Sequence, residues 1–270
     1  MSRAAGTGRE LYQMGDDKQE KYLGDIGGET IESYKRTLVI PAYNEEMRIG
    51  ATLEEYLGHF DSDTEIVVVL NGCHDRTGNI ACTFLDSSPN LRIIDERGVV
   101  GKGGAVTMGF RRARGEIVGY VDADGATSAA EIERLMDQIG DADGVIGSRW
   151  IDKEVLIRKQ SPFRRTASRV FNFIVRTLFD LPYEDTQCGA KVFKREALDA
   201  IHNELGTTNL AFDVDLLYLM HKHGFELKEV PTAWEDKDGS KISMKRAAPR
   251  MLGAVIRMRI KHSRFSNLVK

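Results

Sequence analysis

The chain has only three cysteines in 270 residues: Cys73, Cys82 and Cys188. They are odd in number, widely spaced and without a CxxC pair, so neither a disulfide framework nor a cysteine-based zinc site is expected. A reducing, intracellular setting follows from that reading. The six histidines show no metal-ligand spacing. His221 and His223 stand two apart on an expected helix, point in different directions and are read as surface residues. No apolar run approaches the roughly 18–20 residues that cross a bilayer. The N-terminal stretch is too polar for a signal peptide. There is no internal repeat and no low-complexity linker. Positive charge is not in excess either: the formal net charge is −3, which argues against bulk nucleic-acid binding. That average hides an asymmetry. From Gly239 to the end there are nine Lys/Arg and no acid, so residues 1–238 carry a formal −12. An acidic body with a basic tail implies a tail that faces something anionic; a solvated basic helix is the plainer alternative.

What is present is the composition of a globular protein, with 41% hydrophobic and 29% charged residues. The length suits one α/β domain with a buried sheet. Residues 1–35 are polar and without clear periodicity, and are read as a loosely ordered extension. A regular alternation then begins. Thr37–Pro41, Glu65–Leu70, Leu91–Ile94, Glu116–Val121 and Gly144–Ile146 read as short strands. Glu45–Phe60, Asp75–Leu85, Lys102–Ala113 and Ser128–Ile139 read as the helices between and after them. Such alternation predicts a mostly parallel sheet with helices on both faces and a ligand at the carboxyl ends of its strands. Ala42–Glu46, Asn71–Asp75 and Asp122–Gly125 all fall there. The second half is less regular. Phe163–Phe179 reads as a long helix with arginines interleaved among aromatic and aliphatic residues. Ala190–Phe193 and Glu226–Pro231 read as strands, Phe212–His223 as a helix, and Arg246–Ile260 as a basic amphipathic helix with Pro249 in its first turn.

Two segments carry chemistry. Asp122-Ala123-Asp124 directly follows an apolar strand, and carboxylates two residues apart at a strand end can reach one divalent cation and a ribose or bound water. Mg2+ or Mn2+ takes hard oxygens from a few carboxylates plus phosphate, as a diphosphate donor requires. The alternative is a plain Asp-Gly turn with a helix cap beyond it. Gly98–Gly104 precedes a helix; its small residues would let backbone N–H groups approach an anion, with Lys102 adding a point charge. It matches neither the GxxxxGK[ST] nor the GxGxxG spacing, and a flexible turn is the alternative.

Taken in order, the motifs resemble those of family-2 glycosyltransferases of the GT-A (Rossmann-like) fold. They are Pro41-Ala42-Tyr43-Asn44-Glu45-Glu46, Gly101-Lys102-Gly103-Gly104-Ala105-Val106 and Asp122-Ala123-Asp124-Gly125-Ala126-Thr127. Further along come Gly147-Ser148-Arg149, Asp185-Thr186-Gln187-Cys188-Gly189, Ala211-Phe212-Asp213-Val214 and Trp234…Gly239-Ser240-Lys241. The set is most similar to the branch that holds dolichyl-phosphate β-glucosyltransferases and prokaryotic polyprenyl-phosphate enzymes, with dolichyl-phosphate mannose synthases a step away.

The resemblance implies inverting transfer of a hexose from a nucleotide sugar, UDP-glucose being favoured, to a polyprenyl or dolichyl phosphate. It implies a GT-A catalytic domain over residues 36–238 and a basic amphipathic C-terminal segment over 239–270. Donor contacts are expected from Pro41, Ala42, Tyr43, Glu45, Asn71, Asp75, Lys102, Asp122 and Ala123. The metal, Mg2+ or Mn2+, would sit on Asp124 and Asp122; Lys102 and Asp185 complete the expected catalytic set. The acceptor would meet Arg149, Arg165, Arg169, Gln187, Ser240 and Lys241. Two features depart from the family pattern. Leu70-Asn71-Gly72-Cys73 stands where Asp-Asp-Gly-Ser is common, so the nucleobase is open; and no membrane helix is expected, where many relatives carry one. Peripheral attachment to the cytoplasmic face of an anionic membrane through Phe163–Phe179 and the basic tail is the expectation instead. A soluble acceptor, or a nucleotide-sugar-binding protein without activity, are the alternatives. The oligomeric state is left open.

Overall fold

The computed structural model describes residues 25–26, 34–151, 162–209, 211–234 and 244–261. In chain order, among these residues, the elements are β1 (Asp25–Ile26), β2 (Tyr34–Ala42), α1 (Ile49–His59), β3 (Thr64–Asn71), α2 (Thr77–Cys82), β4 (Leu91–Glu96), α3 (Gly101–Arg112), β5 (Gly115–Tyr120), α4 (Ala129–Asp137), β6 (Gly144–Ser148), α5 (Pro162–Phe179), β7 (Lys191–Lys194), α6 (Arg195–Ile201), α7 (Phe212–Lys222), β8 (Leu227–Pro231) and α8 (Met244–Lys261). One sheet runs β1-β4-β3-β2-β5-β7-β6-β8. Strands β4, β3, β2 and β5 are mutually parallel, as are β6 and β8, while β1 and β7 run antiparallel to their neighbours.

Alternation within the central strands divides the core. Leu38 and Ile40 of β2, with Ile66, Val68 and Leu70 of β3, face Ile49, Leu53 and Tyr56 of α1 and Ile132, Leu135 and Met136 of α4. Val39, Val67 and Val69 point the other way, onto Ala105, Val106 and Phe110 of α3 and Phe212 of α7. Strand β3 is buried along its whole length, which is why it reads as a nearly unbroken apolar run rather than an alternating one. Its one charged residue, Glu65, lies at the amino end. The carboxylate accepts bonds from Thr37 Oγ1 (2.7 Å) and the Arg114 N–H (2.9 Å), and Arg92 Nη1 lies 3.1 Å away.

The mostly parallel three-layer arrangement agrees with the alternation read from the sequence, with three differences. The sheet starts earlier than residue 36. Tyr34 is buried and pairs with Gly115, and Asp25–Ile26 pairs with Ile94 and Ile93 inside the stretch read as loose extension. The second expected helix is short: α2 ends at Cys82, and Leu85–Ser87 forms a separate 3-10 turn. Helix α6 is the third difference, since it begins directly at the end of β7 with no glycine or proline between them.

Strand β7 positions the site. Its antiparallel pairing sets Lys191 opposite Tyr120. The chain entering β7 therefore meets the chain leaving β5, and residues 188–189 are delivered beside Asp122.

Candidate active site

The carboxyl ends of β2, β3 and β4 carry the first wall of the site. Pro41 and Ala42 close β2, and Tyr43 beyond them is 45% exposed, its ring free to stack on a planar group. The loops after β2 and β3 are tied together. The Asn44 Oδ1 accepts the His74 N–H at 2.8 Å, the Thr77 Oγ1 accepts the Glu45 N–H at 2.7 Å, and Asp75 Oδ2 accepts the Glu46 N–H at 3.3 Å. Asp75 Oδ1 also caps Thr77, whose N–H lies 3.0 Å away. The Glu45 carboxylate is engaged by Arg48 Nε at 2.7 Å. Asn71 is buried and its Oδ1 accepts the Val100 N–H at 2.8 Å, joining the third loop to the other two. Of the expected donor residues, Asp75 and Asn71 thus spend side-chain oxygens holding the loops.

The Gly98–Gly104 segment is corrected in one respect. Its glycines make room for another part of the chain. A Cβ on Gly103 would lie 2.4 Å from Phe212 Cβ, and one on Gly101 2.3 Å from the Thr208 carbonyl oxygen. The Gly104 N–H donates to that same Thr208 oxygen at 3.2 Å, so this helix N-terminus already holds a protein carbonyl. What reaches the site is Lys102. Its Nζ lies 2.7 Å from Asp122 Oδ1 and 5.6 Å from the centre of the Tyr120 ring. Burial alone would lower the ammonium pKa, but Asp122, Asp213 and Asp124 outweigh it and hold it above its ordinary value.

Asp122 and Asp124 sit just past β5, and helix α1 supports them from below. Thr52 Oγ1 donates to the Ala123 carbonyl at 3.2 Å, and the Tyr56 hydroxyl donates to the Thr127 carbonyl at 2.6 Å. These two residues are four apart, one turn of helix, so both meet the same loop. Beyond the loop, Ser128 caps α4 by accepting the Glu131 N–H at 3.2 Å. The helix cap that the plain-turn alternative placed beyond Asp124-Gly125 is therefore present. The Asp124 carboxyl is pushed above its ordinary pKa by burial and then by the Asp122 charge, while the Ala126 N–H, Arg48 and Lys102 pull it down. Two close carboxylates with incomplete counter-charge fit a divalent cation that takes its other ligands from phosphate and water. Among the described residues no group of three or more His, Cys, Asp or Glu forms a protein-only metal cage.

The second wall comes from β6, the 185–190 segment and Trp234. A Cβ on Gly189 would lie 2.2 Å from Asp122 Oδ2, so a larger residue there would force the Asp122 carboxylate to move. Asp185 is fully buried. Its oxygens accept bonds from Arg149 Nε (2.7 Å), Arg149 Nη2 (2.9 Å), the Arg149 N–H (3.1 Å) and the Gln187 N–H (3.2 Å). Burial would raise its carboxyl pKa, but Arg149 outweighs that and holds it below the ordinary value. Asp185, expected among the catalytic residues, is enclosed by these four bonds, three of them from Arg149. The Arg149 guanidinium carbon lies 5.3 Å from the Trp234 ring and 5.9 Å from the Trp150 ring, and Arg169 lies 5.2 Å from Trp150. Gln187 is half-buried, with Nε2 3.3 Å from the Thr186 carbonyl. The Arg165 side chain, Ser240 and Lys241 lie outside the described residues. Sequence reasoning misses Thr52 and Tyr56, which on a helix read as ordinary core-facing residues. Gly189 stands in a recognised motif, but its place against Asp122 follows only from the strand register.

Comparison with known proteins places the chain in a family. Residues 37–201 match the Glycosyl transferase family 2 domain. The chain belongs to that family. It is 31% identical over 249 residues to the dolichyl-phosphate β-glucosyltransferase of Dictyostelium discoideum, covering 86% of this chain and 76% of the relative. The human enzyme of that name is 32% identical over 261 residues, covering 87% of this chain and 81% of the relative. Glucosyl-3-phosphoglycerate synthase from Mycobacterium tuberculosis, solved with Mn2+, UDP and glucosyl-3-phosphoglycerate, superposes with a TM-score of 0.64 at 16% identity. That match covers 85% of this chain and 80% of the other, and it establishes a GT-A-like fold. The protein is a family-2 glycosyltransferase, and no described helix is long and apolar enough to cross a membrane.

Proposed function

We propose that this glycosyltransferase moves glucose from UDP-glucose to a dolichyl or polyprenyl phosphate, with inversion and with Mg2+ or Mn2+ bound at Asp122 and Asp124. The observation that carries the reading is Asp122 itself, paired with Lys102 on one side and packed against Gly189 on the other. One carboxylate thus joins the loops expected to hold a nucleotide to the segment expected to hold an acceptor. The named substrates come from the similarity to dolichyl-phosphate β-glucosyltransferases.

The cation would neutralise charge that develops on the departing nucleoside diphosphate. Lys102, screened from bulk water and charged, supplies a second positive group beside the same leaving group. Tyr43, Glu45 and Asn71 line the nucleoside side. An acceptor phosphate is ionised near neutrality and needs little help from a base, so positioning and charge neutralisation carry the rate. Arg169 and the Arg149 N–H groups not used by Asp185 provide that neutralisation, with Arg165, Gln187, Ser240 and Lys241 as further acceptor contacts.

The acceptor's lipid tail requires a membrane surface. Helix α5 exposes Val170 (53%) and Phe173 (70%) beside Arg169, and α8, which packs against it, exposes Ile256 with Arg257 and Arg259. Apolar residues flanked by arginines suit peripheral attachment to an anionic bilayer. The unpaired thiols Cys73, Cys82 and Cys188 suit its cytoplasmic face.

The test is a panel of nucleotide sugars offered with and without dolichyl phosphate and with Mn2+, Mg2+ or chelator, products being read by mass spectrometry. Glucosyl phosphodolichol from UDP-glucose, lost with chelator and in Asp124→Ala at unchanged melting temperature, is the expected result. Transfer only to soluble phosphorylated acceptors would overturn the lipid assignment. Full activity of Asp124→Ala would remove the metal assignment.

A further inference from the structure

Behind the Asp122–Lys102 pair lies a second ion pair that the chemistry above does not use. Lys191 of β7 is fully buried, and its ammonium has three acceptors: Asp213 Oδ1 at 2.6 Å, the Tyr120 hydroxyl at 3.2 Å and the Cys188 carbonyl at 2.5 Å. An ammonium has three N–H donors, so this one is saturated. The Tyr120 hydroxyl in turn donates to Asp213, which is also buried. Burial would raise the Asp213 carboxyl pKa, but Lys191 and then Lys102 outweigh it.

The three acceptors belong to three separate pieces of the site. Tyr120 ends β5, two residues before Asp122. Cys188 precedes Gly189, where a Cβ would run into the Asp122 carboxylate. Asp213 lies in the first turn of α7, and its charge also acts on Lys102. The Tyr120 ring is near both cations: Lys102 Nζ and Lys191 Nζ are each 5.6 Å from its centre. A buried ion pair is weak support for stability as such, because desolvation offsets much of its attraction. Its distinctive property here is that one ammonium fixes the distance between two backbone segments facing each other across Asp122.

We propose that Lys191, with Asp213 and Tyr120, forms a positioning centre that locks the Asp185–Gly189 segment against Asp122 and leaves Lys102 free to serve the donor. None of the three touches substrate. By neutralising Asp213, Lys191 keeps that carboxylate from drawing Lys102 away from Asp122. The catalytic part of this inference rests on the reading of Asp122 and Lys102 as donor-site residues; the mechanical part does not.

The decisive variants are Tyr120→Phe, which removes one hydroxyl, and the charge-neutral double change Lys191→Met with Asp213→Asn. The double change avoids leaving an orphan buried carboxylate. Amide hydrogen exchange should quicken at least tenfold in residues 185–190 of the double variant while β3 keeps its protection. With UDP-glucose and dolichyl phosphate, kcat should fall about tenfold or more in the double variant and severalfold in Tyr120→Phe, with the KM for UDP-glucose within threefold of wild type. A folded double variant whose 185–190 segment exchanges like wild type would overturn the proposal, as would a Tyr120→Phe enzyme with unaltered kcat. If the double variant does not fold, the Tyr120→Phe exchange and kinetics decide alone. A wild-type enzyme inactive on these substrates would sink the proposed function, and the exchange comparison would still judge the positioning centre.

Discussion

The two walls of the site are held in different ways. Around Pro41–Glu46 and Asn71–Thr77 the loops are stitched by short bonds between backbone N–H groups and small side chains: Asn44 to His74, Thr77 to Glu45, Asn71 to Val100. Across β7 the support is ionic and buried, with Arg149 on Asp185 and Lys191 on Asp213. Each stitch on the first wall is worth about 0.5–1.5 kcal/mol and its loss is local. On the second wall, removing one partner leaves an uncompensated charge inside the protein. The first wall should therefore tolerate substitution gradually, and the second should fail abruptly.

The sharpest contrast should come from Arg149→Met, which strands the Asp185 carboxylate. A loss of about 3–5 kcal/mol in unfolding free energy is expected from denaturant titration. Adding Asp185→Asn to it should recover most of that loss; a double variant as unstable as the single would break the ionic account. Gly189→Ala comes next and separates stability from activity. Its Cβ meets only the movable Asp122 carboxylate, 2.2 Å away, so the melting temperature should shift by little. Turnover should fall on the order of 100-fold, because Asp122 must rotate out of place.

A smaller effect is expected from pH. The folded-state pKa of Asp185 is depressed, so its pair contributes stability in full above the ordinary carboxylate value of 3.8 and loses it as pH falls through the lower folded value. Unfolding free energy measured from about pH 5 down to about pH 2 should accordingly drop more steeply in wild type than in the Arg149→Met/Asp185→Asn double variant. Equal slopes would assign the acid sensitivity elsewhere. Smallest is Tyr56→Phe, which removes the hydroxyl bonded to the Thr127 carbonyl and should cost about 1 kcal/mol with a severalfold loss of turnover. A loss as large as that of Arg149→Met would erase the distinction between the walls.

Much of the first wall is legible without coordinates. Period-two and period-3.6 patterns report which residues face a core, and strand ends in a parallel sheet are where ligands collect, so Asp122, Asp124 and the 42–46 loop can be located from local pattern. Lys102 is legible as well, but the glycines around it serve a different purpose from the one expected. They admit Thr208 and Phe212, which lie about a hundred residues further on. The second wall is recognisable only as motifs, with roles that come from the family resemblance and not from local pattern. Asp185 and Arg149 are both polar and both near expected strand ends, and nothing in their spacing says that one saturates the other.

By itself the sequence determined the layered α/β architecture, the strand end that bears the carboxylate pair and the basic tail, because these follow from local periodicity and charge. Tertiary structure alone decided that β7 runs antiparallel beside β5. That single register sets Lys191 opposite Tyr120 and Gly189 against Asp122, turning residues some 67 to 71 positions apart into one site. Pairing between distant strands depends on which backbone edges meet, and no local pattern in either segment carries that information.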